Sequence, residues 1–498
     1  MQRQDDNQRS SRDRLFDKIP FINLDRETRQ LNAVLIAHFV LWTIAPTYGF
    51  ATPPLDIVEN LFWGQEWPLG TYKHPPLQAW LCEIAWQLAS LKGVYALSQL
   101  CVLITSLGLF LLGRDIKSPE AGLVGALIYL FSFYATLSSP EFNANVVSAP
   151  FWVFASLFLW RIINNTKKTL GIQNWIGLSL AVTLAFYSKY SVCFLLIGLF
   201  LASMISPSGR AILKSPLLYT SASLTIFLCA PNLLWLLEND FQPLQYAMER
   251  SLRLEGMSRL TNPISFLFGV ILAFLVPLLL LFAAGARSKR LNKKNNGTNF
   301  LLVLALTPLS AMIIFSLVGS TGLKSMWGST AAVWLPLVIS THLTAISSWP
   351  RLEFAKLTAI CLFLFMPVAA AGYSIYSENT DRPQRTGWPG SHLSKISLDA
   401  WEKNIGGLPS IIIGPTWEAG VLAYFSDNRP SVLINGDYKK SPWLSPDDIK
   451  SRGALAVWTG STKHFDAFRP FKDRGTIPIK HKGKSVQFHW AIIEPKIE

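Results

Sequence analysis

Eleven apolar runs, beginning near residues 31, 93, 120, 147, 171, 190, 216, 263, 299, 329 and 355, decide what this 498-residue chain can fold into. A helix needs roughly 20 residues to cross the apolar core of a bilayer, and a backbone buried there must satisfy its own hydrogen bonds, so the runs read as transmembrane helices. Half of the residues are hydrophobic and 15% are charged, whereas an ordinary soluble domain is about a quarter charged. The expected fold class is a polytopic α-helical membrane protein of about eleven transmembrane helices with a small C-terminal α/β soluble domain.

The formal charge of +14 does not point to nucleic acid, because the basic residues punctuate the apolar runs instead of lining one face. With the N-terminus inside, the cytoplasmic segments hold roughly three times as many Lys and Arg as the outer segments before residue 375, which sets the orientation. Residues 1–30 then form a cytoplasmic segment, 31–374 the transmembrane part and 375–498 a domain on the opposite side. Residues 1–30 are polar, so the first apolar run reads as a retained anchor. Lys189 interrupts one long apolar stretch between the runs at 171 and 190. Cysteines stand at 82, 101, 193, 229 and 361, none later, so no disulfide is expected in the C-terminal domain and no CxxC spacing suggests a metal site. The sequons at Asn164 and Asn296 fall on the cytoplasmic side and carry no weight. Beyond residue 375, alternation predicts strands over 410–414, 431–435, 454–459 and 485–493, with a helix over 417–425.

The first outer loop, 49–92, concentrates the reactive side chains. Asp56 and Glu59 are three apart, so a helix places both carboxylates on one side. A carboxylate at the outer face can accept the proton of an attacking hydroxyl, and a departing phosphate needs positive charge nearby. Lys73 and His74 are close in sequence, and a lysine in an apolar hairpin, as at Lys189, needs an anion or a partner. Leu77, Leu81, Ile84, Leu88 and Leu91 recur at helical spacing with Gln78, Glu83 and Gln87 between them, predicting an amphipathic helix on the membrane surface. Each feature has a plain alternative. Outer carboxylates are usually solvated, tryptophans such as Trp63, Trp67, Trp80 and Trp86 suit interfacial belts, Lys189 can snorkel, and Arg250, Arg253 and Arg259 can touch headgroups. Their placement together on one membrane face is the argument for a site.

The stretches Leu55–Gln65 and Tyr72–Trp80 resemble the first outer loop of bacterial glycosyltransferases related to the protein O-mannosyltransferases, the family 39 and family 83 type, which include lipid A aminoarabinose and galacturonic acid transferases. The resemblance extends through Ser139–Asn145, Tyr187–Tyr190, Pro231–Trp235, Asp240-Phe241 and Trp327, and more loosely through Ala423–Phe425 and Arg429-Pro430. It implies a GT-C fold in a bacterial inner membrane, with the C-terminal domain in the periplasm. The implied partners are a polyprenyl-phosphate sugar donor, a glycolipid acceptor (lipid A or lipopolysaccharide core) and membrane lipids. It implies inverting transfer with Asp56 as the catalytic base and Glu59 in support. The donor phosphate would meet Lys73, His74, Lys189, Tyr190, Arg250 and Arg253, and the sugar or acceptor would meet Trp63, Tyr72, Asn143, Asn145, Lys324 and Trp327. Lys73 stands where aminoarabinose transferases carry a glutamate, which disfavours a metal site that relies on it. No cofactor is otherwise expected, and a divalent metal ion is left open. Relatives also carry an acidic residue near the positions of Asn143 and Asn145, whose absence leaves Asp56 as the expected sole base. The Lys-His-Pro-Pro and Phe-Asn-Ala-Asn combination lies nearer the galacturonosyltransferase branch.

Three rival readings differ in class or acceptor. A transporter or lipid flippase would favour inverted repeats and broken helices at the midplane, whereas no repeat is visible here and the polar candidates lie at the outer interface. A protein O-mannosyltransferase would run the same chemistry on a polypeptide. A sensor reading leaves the Asp56–His74 cluster unexplained.

Overall fold

The computed structural model describes residues 26–164, 168–250, 254–288, 295–346, 349–381, 383–460, 466–481 and 483–496. Its helical part consists of α1 (Arg26–Gly49), α2 (Leu55–Gly64), α3 (Leu77–Ile116), α4 (Pro119–Leu130), α5 (Ala144–Asn164), α6 (Lys168–Ser188), α7 (Val192–Ser203), α8 (Pro216–Glu238), α9 (Gln242–Arg250), α10 (Ser258–Leu272), α11 (Leu275–Ala283), α12 (Asn296–Gly319), α13 (Leu335–His342) and α14 (Trp349–Glu378), besides shorter turns. Among the described residues, α1, α3, α5, α8, α12 and α14 are each long and apolar enough to cross a membrane, and α10 with α11, bent by 50°, make a seventh if taken as one span. The chain is a multi-pass membrane protein. Other expected runs fall on shorter helices: α4 and α7 have 12 residues each and α13 has 8. The run at 120 is cut by successive turns over 131–140, which end α4 early.

The bundle core is built from wide rings and close backbones. Trp152 and Trp334 pack with centroids 5.8 Å apart, and Trp160 with Phe300 at 5.1 Å. Where α3 meets α4, a Cβ on Gly113 would lie 2.7 Å from the Cα of Gly122, the close approach that small residues permit between membrane helices. Outward-facing residues of α14, such as Leu357, Phe365 and Val368, are apolar and exposed, as a lipid-facing surface requires.

The first outer loop holds α2 and the beginning of α3. Non-helical backbone at Ala89 (φ −152°) and Ser90 (φ 51°) breaks α3 into an outer segment, 77–88, and a long span. In the outer segment Gln78 and Glu83 are buried beside Leu77, Cys82 and Ala85, while Ile84 and Leu88 face outward.

After α14 the chain forms α15 (Gly390–Asn404), α16 (Thr416–Phe425) and α17 (Pro446–Arg452). These accompany a five-stranded sheet of β3 (Ile411–Gly414), β4 (Ser431–Ile434), β5 (Ala454–Thr459), β6 (Asp473–His481) and β7 (Lys484–Ile493), in the order β4-β3-β5-β7-β6. A separate two-stranded ribbon pairs β1 (Ala286–Ser288) with β2 (Leu343–Ile346). Strand β3 runs parallel to both β4 and β5, while β7 runs antiparallel to β5 and β6. Apart from Ser431 and Thr459 at their ends, the parallel strands are apolar and buried, as strands covered on both faces must be.

This sheet domain docks on α2. Val58, Phe62, Trp63 and Tyr72 share one apolar cluster with Trp388, Trp401, Val421, Leu422, Ile412 and Ile434. The approach is closest at Gly420, where a Cβ would lie 2.5 Å from Val58 Cγ1. Gly420→Val should therefore overpack the contact and destabilise the protein by about 1–3 kcal/mol, read as a lowered unfolding temperature of the detergent-solubilised chain; an unchanged transition would contradict this docking.

Candidate active site

Pro53 and Pro54 open α2, and Asp56 lies in its first turn, where a carboxylate is favoured by the helix dipole. Helix α2 is enclosed by α3, α16 and the 139–143 loop, so Glu59 and Asn60, on its remaining faces, are buried as well. Asn60 donates its Nδ2 hydrogen to the Phe142 carbonyl at 3.1 Å. Glu59 is satisfied by a charge: Lys73 Nζ donates to its Oε2 at 2.5 Å and lies 3.9 Å from Asp56 Oδ1. A buried carboxylate without such a partner would be strongly unfavourable.

Lys73 is held in place by its own turn. The Thr71 hydroxyl accepts from the backbone N–H of His74 at 3.0 Å and of Lys73 at 3.4 Å, and the Thr71 N–H donates to the His74 carbonyl at 3.0 Å. The ammonium also sits about 6 Å over the rings of Trp63 and Tyr246. Burial lowers its proton affinity, but Glu59 and Asp56 outweigh that and push the pKa above the usual lysine value, so Lys73 stays charged.

A second group approaches Asp56 from the opposite side. Asn143 accepts from the N–H groups of Asn145 at 2.9 Å and Val146 at 3.2 Å, which starts α5. Lys189, in the turn between α6 and α7, donates to Asn145 Oδ1 at 2.6 Å. Burial pulls its pKa down to about 8 against the upward pull of Asp56. Glu141 completes the group. Burial first, then the negative charge of Asp56, raise its pKa to about 7, opposed by Arg385 and a backbone hydrogen bond from Asp56. Asp56 is thus bordered by Lys73, Lys189 and Glu141. A narrow cleft runs on from Asn143 and Asn145, past Tyr129, Tyr134 and Ser138, to Met326 and Ser329.

The structure brings together Asp56, Glu59, Lys73, Asn143, Asn145 and Lys189. It places other expected residues differently. Trp63 is 1% exposed, and Tyr72 is buried beside it; both form the wall behind Lys73 because the sheet domain covers them, so neither offers an open ring face to a sugar. His74 contributes backbone atoms to the Lys73 turn. Tyr190 donates to Asn232 Oδ1 at 3.0 Å, whose Nδ2 donates to the Leu69 carbonyl at 2.6 Å, so it braces the outer loop. Lys324 lines a neighbouring groove with Ser265 and Phe266, and Trp327 packs against the cluster around Phe266 and Phe274. The side chain of Arg250 and all of Arg253 lie outside the described residues.

Three residues near Lys73 and Asp56 were not anticipated. Glu141 supplies the acidic side chain that was expected to be missing beside Asn143; its signal was a carboxylate inside the same outer segment, two positions earlier than sought. Tyr246 of α9 packs edge-on against Tyr72 at 5.4 Å, bringing the second outer segment over Lys73. Arg385 lies 5.7 Å over the ring of Trp417, in a turn pinned to residue 52: the Thr52 N–H donates to the Thr386 carbonyl at 3.0 Å and its hydroxyl to the Trp388 carbonyl at 2.7 Å. Among the described residues no three His, Cys, Asp or Glu side chains are grouped to hold a metal ion. Between Asp56 and Glu59, the Lys73 ammonium supplies one positive charge.

Lys73→Met should take the ammonium away from the buried Glu59 carboxylate and cost about 3–5 kcal/mol. Adding Glu59→Leu should recover most of that stability. Thermal unfolding of the single and double variants measures this, and a harmless single substitution would contradict the pairing.

Residues 73–235 match the family described as dolichyl-phosphate-mannose-protein mannosyltransferase. Over 212 residues the chain is 28% identical to lipid A galacturonosyltransferase RgtD of Rhizobium johnstonii; the aligned part is 42% of this chain and spans 43% of the length of that curated relative. ArnT from Cupriavidus metallidurans, solved bound to undecaprenyl phosphate, superposes with a TM-score of 0.64 at 13% identity, covering 93% of this chain and 98% of that one. The apo structure of the same enzyme gives 0.63 at 12% identity, with the same coverage. The chain has the fold of the GT-C glycosyltransferase superfamily.

Proposed function

We propose that this GT-C protein transfers a sugar from a polyprenyl-phosphate carrier to a glycolipid acceptor at the periplasmic face of the inner membrane. The observation that carries the proposal is the setting of Asp56, a partly exposed carboxylate flanked by the ammonium groups of Lys73 and Lys189. A base next to two cations suits a reaction in which a hydroxyl loses a proton while a phosphate departs. Support for the donor comes from the undecaprenyl phosphate bound by ArnT, and support for lipid A as acceptor from the name of the Rhizobium relative. That relative also makes galacturonic acid the first sugar to test. The charge distribution supports a cytoplasmic N-terminus, eleven crossings and a periplasmic sheet domain; on this reading, the short helices α4, α7 and α13 cross as parts of the bundle.

In the proposed step the acceptor hydroxyl gives its proton to Asp56 as its oxygen forms a bond to the anomeric carbon. The bond from that carbon to the phosphate oxygen breaks with its electron pair, and the polyprenyl phosphate leaves. A single displacement inverts the anomeric centre. Lys73 and Lys189 balance the charge gathering on the phosphate, and Glu59 keeps Lys73 aimed at Asp56.

Asp56→Asn should lower transfer by about 10²–10⁴-fold, the usual cost of losing a general base, with unfolding temperature unchanged; wild-type turnover would refute the assignment. Lys189→Ala should raise the apparent KM for donor. Glu141 gives a pH dependence. Its raised pKa means that the folded protein holds this proton up to about pH 7, so below that value the site has one negative charge fewer. Donor binding should weaken as pH rises through about 7, and Glu141→Gln should flatten that limb; a profile unaltered by the substitution would exclude Glu141 from the site.

Mass spectrometry of lipid A from cells with the gene, without it, and complemented with Asp56→Asn decides the acceptor. Loss of one sugar mass, not restored by the variant, supports the proposal. Unchanged glycolipids with altered glycoproteins would favour a polypeptide acceptor, the reading that the matched family's description favours.

A further inference from the structure

The loop between α16 and β4 reaches across to the outer membrane-domain loop through one side chain. Arg429 donates to both oxygens of Glu83, at 3.1 and 2.7 Å, and to the carbonyl of Leu61 at 2.9 Å, and its guanidinium lies 5.0 Å over the ring of Trp86. Its neighbours repeat the pattern: Gln65 donates to the Pro430 carbonyl at 3.3 Å, Ser431 donates to Glu66 at 2.7 Å, and Tyr424 packs edge-on against Trp86 at 5.8 Å. Leu61 lies in the last turn of α2, whose first turn carries Asp56 and whose middle carries Glu59. The Leu61 carbonyl also accepts from the Gln65 N–H at 3.5 Å, and a cation donating to a carbonyl in the final turn complements the helix dipole. Arg429 holds φ at +46°, the left-handed region that a residue with a Cβ adopts only when its surroundings require it. A planar fork that reaches a buried carboxylate and a helix terminus at once is a task lysine cannot perform.

We propose that Arg429 is a positioning residue, through which the C-terminal domain caps α2 and fixes Asp56 and Glu59 against Lys73. The inference rests on the functional reading above for its kinetic consequence, but not for its structural one. The sheet domain is then part of the catalytic unit and not an appended cover.

The test uses the full-length protein and a paired substitution, because Arg429→Gln alone strands Glu83 as a buried charge. Arg429→Gln with Glu83→Gln removes both charges and leaves polar groups of similar shape. If Arg429 positions α2, this double variant unfolds at nearly the wild-type temperature and binds undecaprenyl phosphate within about twofold of wild type. Its kcat falls by about 10–10²-fold, the scale of a small misplacement of reacting groups. Arg429→Lys, which keeps the charge but not the fork, falls between the two. A double variant that regains both stability and kcat overturns the proposal and leaves a purely structural ion pair. Hydrogen exchange separates this from failure of the functional reading: the peptide covering 55–66 should exchange faster in the double variant while that covering 411–434 is unchanged. Equal exchange in 55–66 overturns the positioning role whether or not the protein transfers a sugar.

Discussion

Around the buried ammonium of Lys73 the rest of the outer face is arranged. An enclosed helix that carries Glu59 and Asp56 within one turn would be unfavourable without a cation, and the cation in turn needs a fixed backbone and a shielded surrounding. The Thr71–His74 turn gives the first, and the rings of Trp63 and Tyr246 give the second. Because one of those rings comes from α2 and the other from α9, forming this centre draws the first and second outer segments together. The sheet domain then covers the back of Trp63 and closes the arrangement.

On the opposite side of Asp56, Lys189 and Glu141 have opposite charges and opposite responses to burial. Burial weakens the hold of Lys189 on its proton and strengthens that of Glu141, so both lie nearer to neutrality than Lys73 does. One flank of Asp56 is therefore a permanent ion pair and the other can change charge near neutral pH. On the proposed function, a site that admits an anionic carrier and later releases it benefits from such asymmetry, since charge on the second flank can follow the state of the ligand.

What was legible in the sequence is what depends on local spacing. The interval between Asp56 and Glu59 fixed their common side, and apolar periodicity located the helices, since both follow from backbone geometry over a few residues. Contacts made across long separations were not legible. Trp63 looked like an open ring face because nothing near it in sequence shows that α16 and β4 cover it. Glu83 read as a polar residue among apolar helical positions, although its partner lies 346 residues later. Glu141 was visible as a residue, but its closeness to Asp56 depends on Asn60 tying the 139–143 loop to α2. The number of crossings suffered for a related reason: hydropathy marks apolar stretches, whereas the turns that divide them into pieces such as α4 and α7 depend on packing.

The hydrogen bonds from Thr52 to residues 386 and 388, and from the 429–431 loop to residues 61–83, join the opening and closing parts of one polypeptide. A ribosome completes α2 long before residue 386 exists. For most of its synthesis the nascent chain therefore holds its Asp56 helix without the cover that excludes water from Trp63 and without the fork that neutralises Glu83. On the proposed function, chemistry at Asp56 becomes available only once the final segment has joined α2: a half-made copy can occupy the bilayer, but it has no assembled centre with which to consume a carrier lipid.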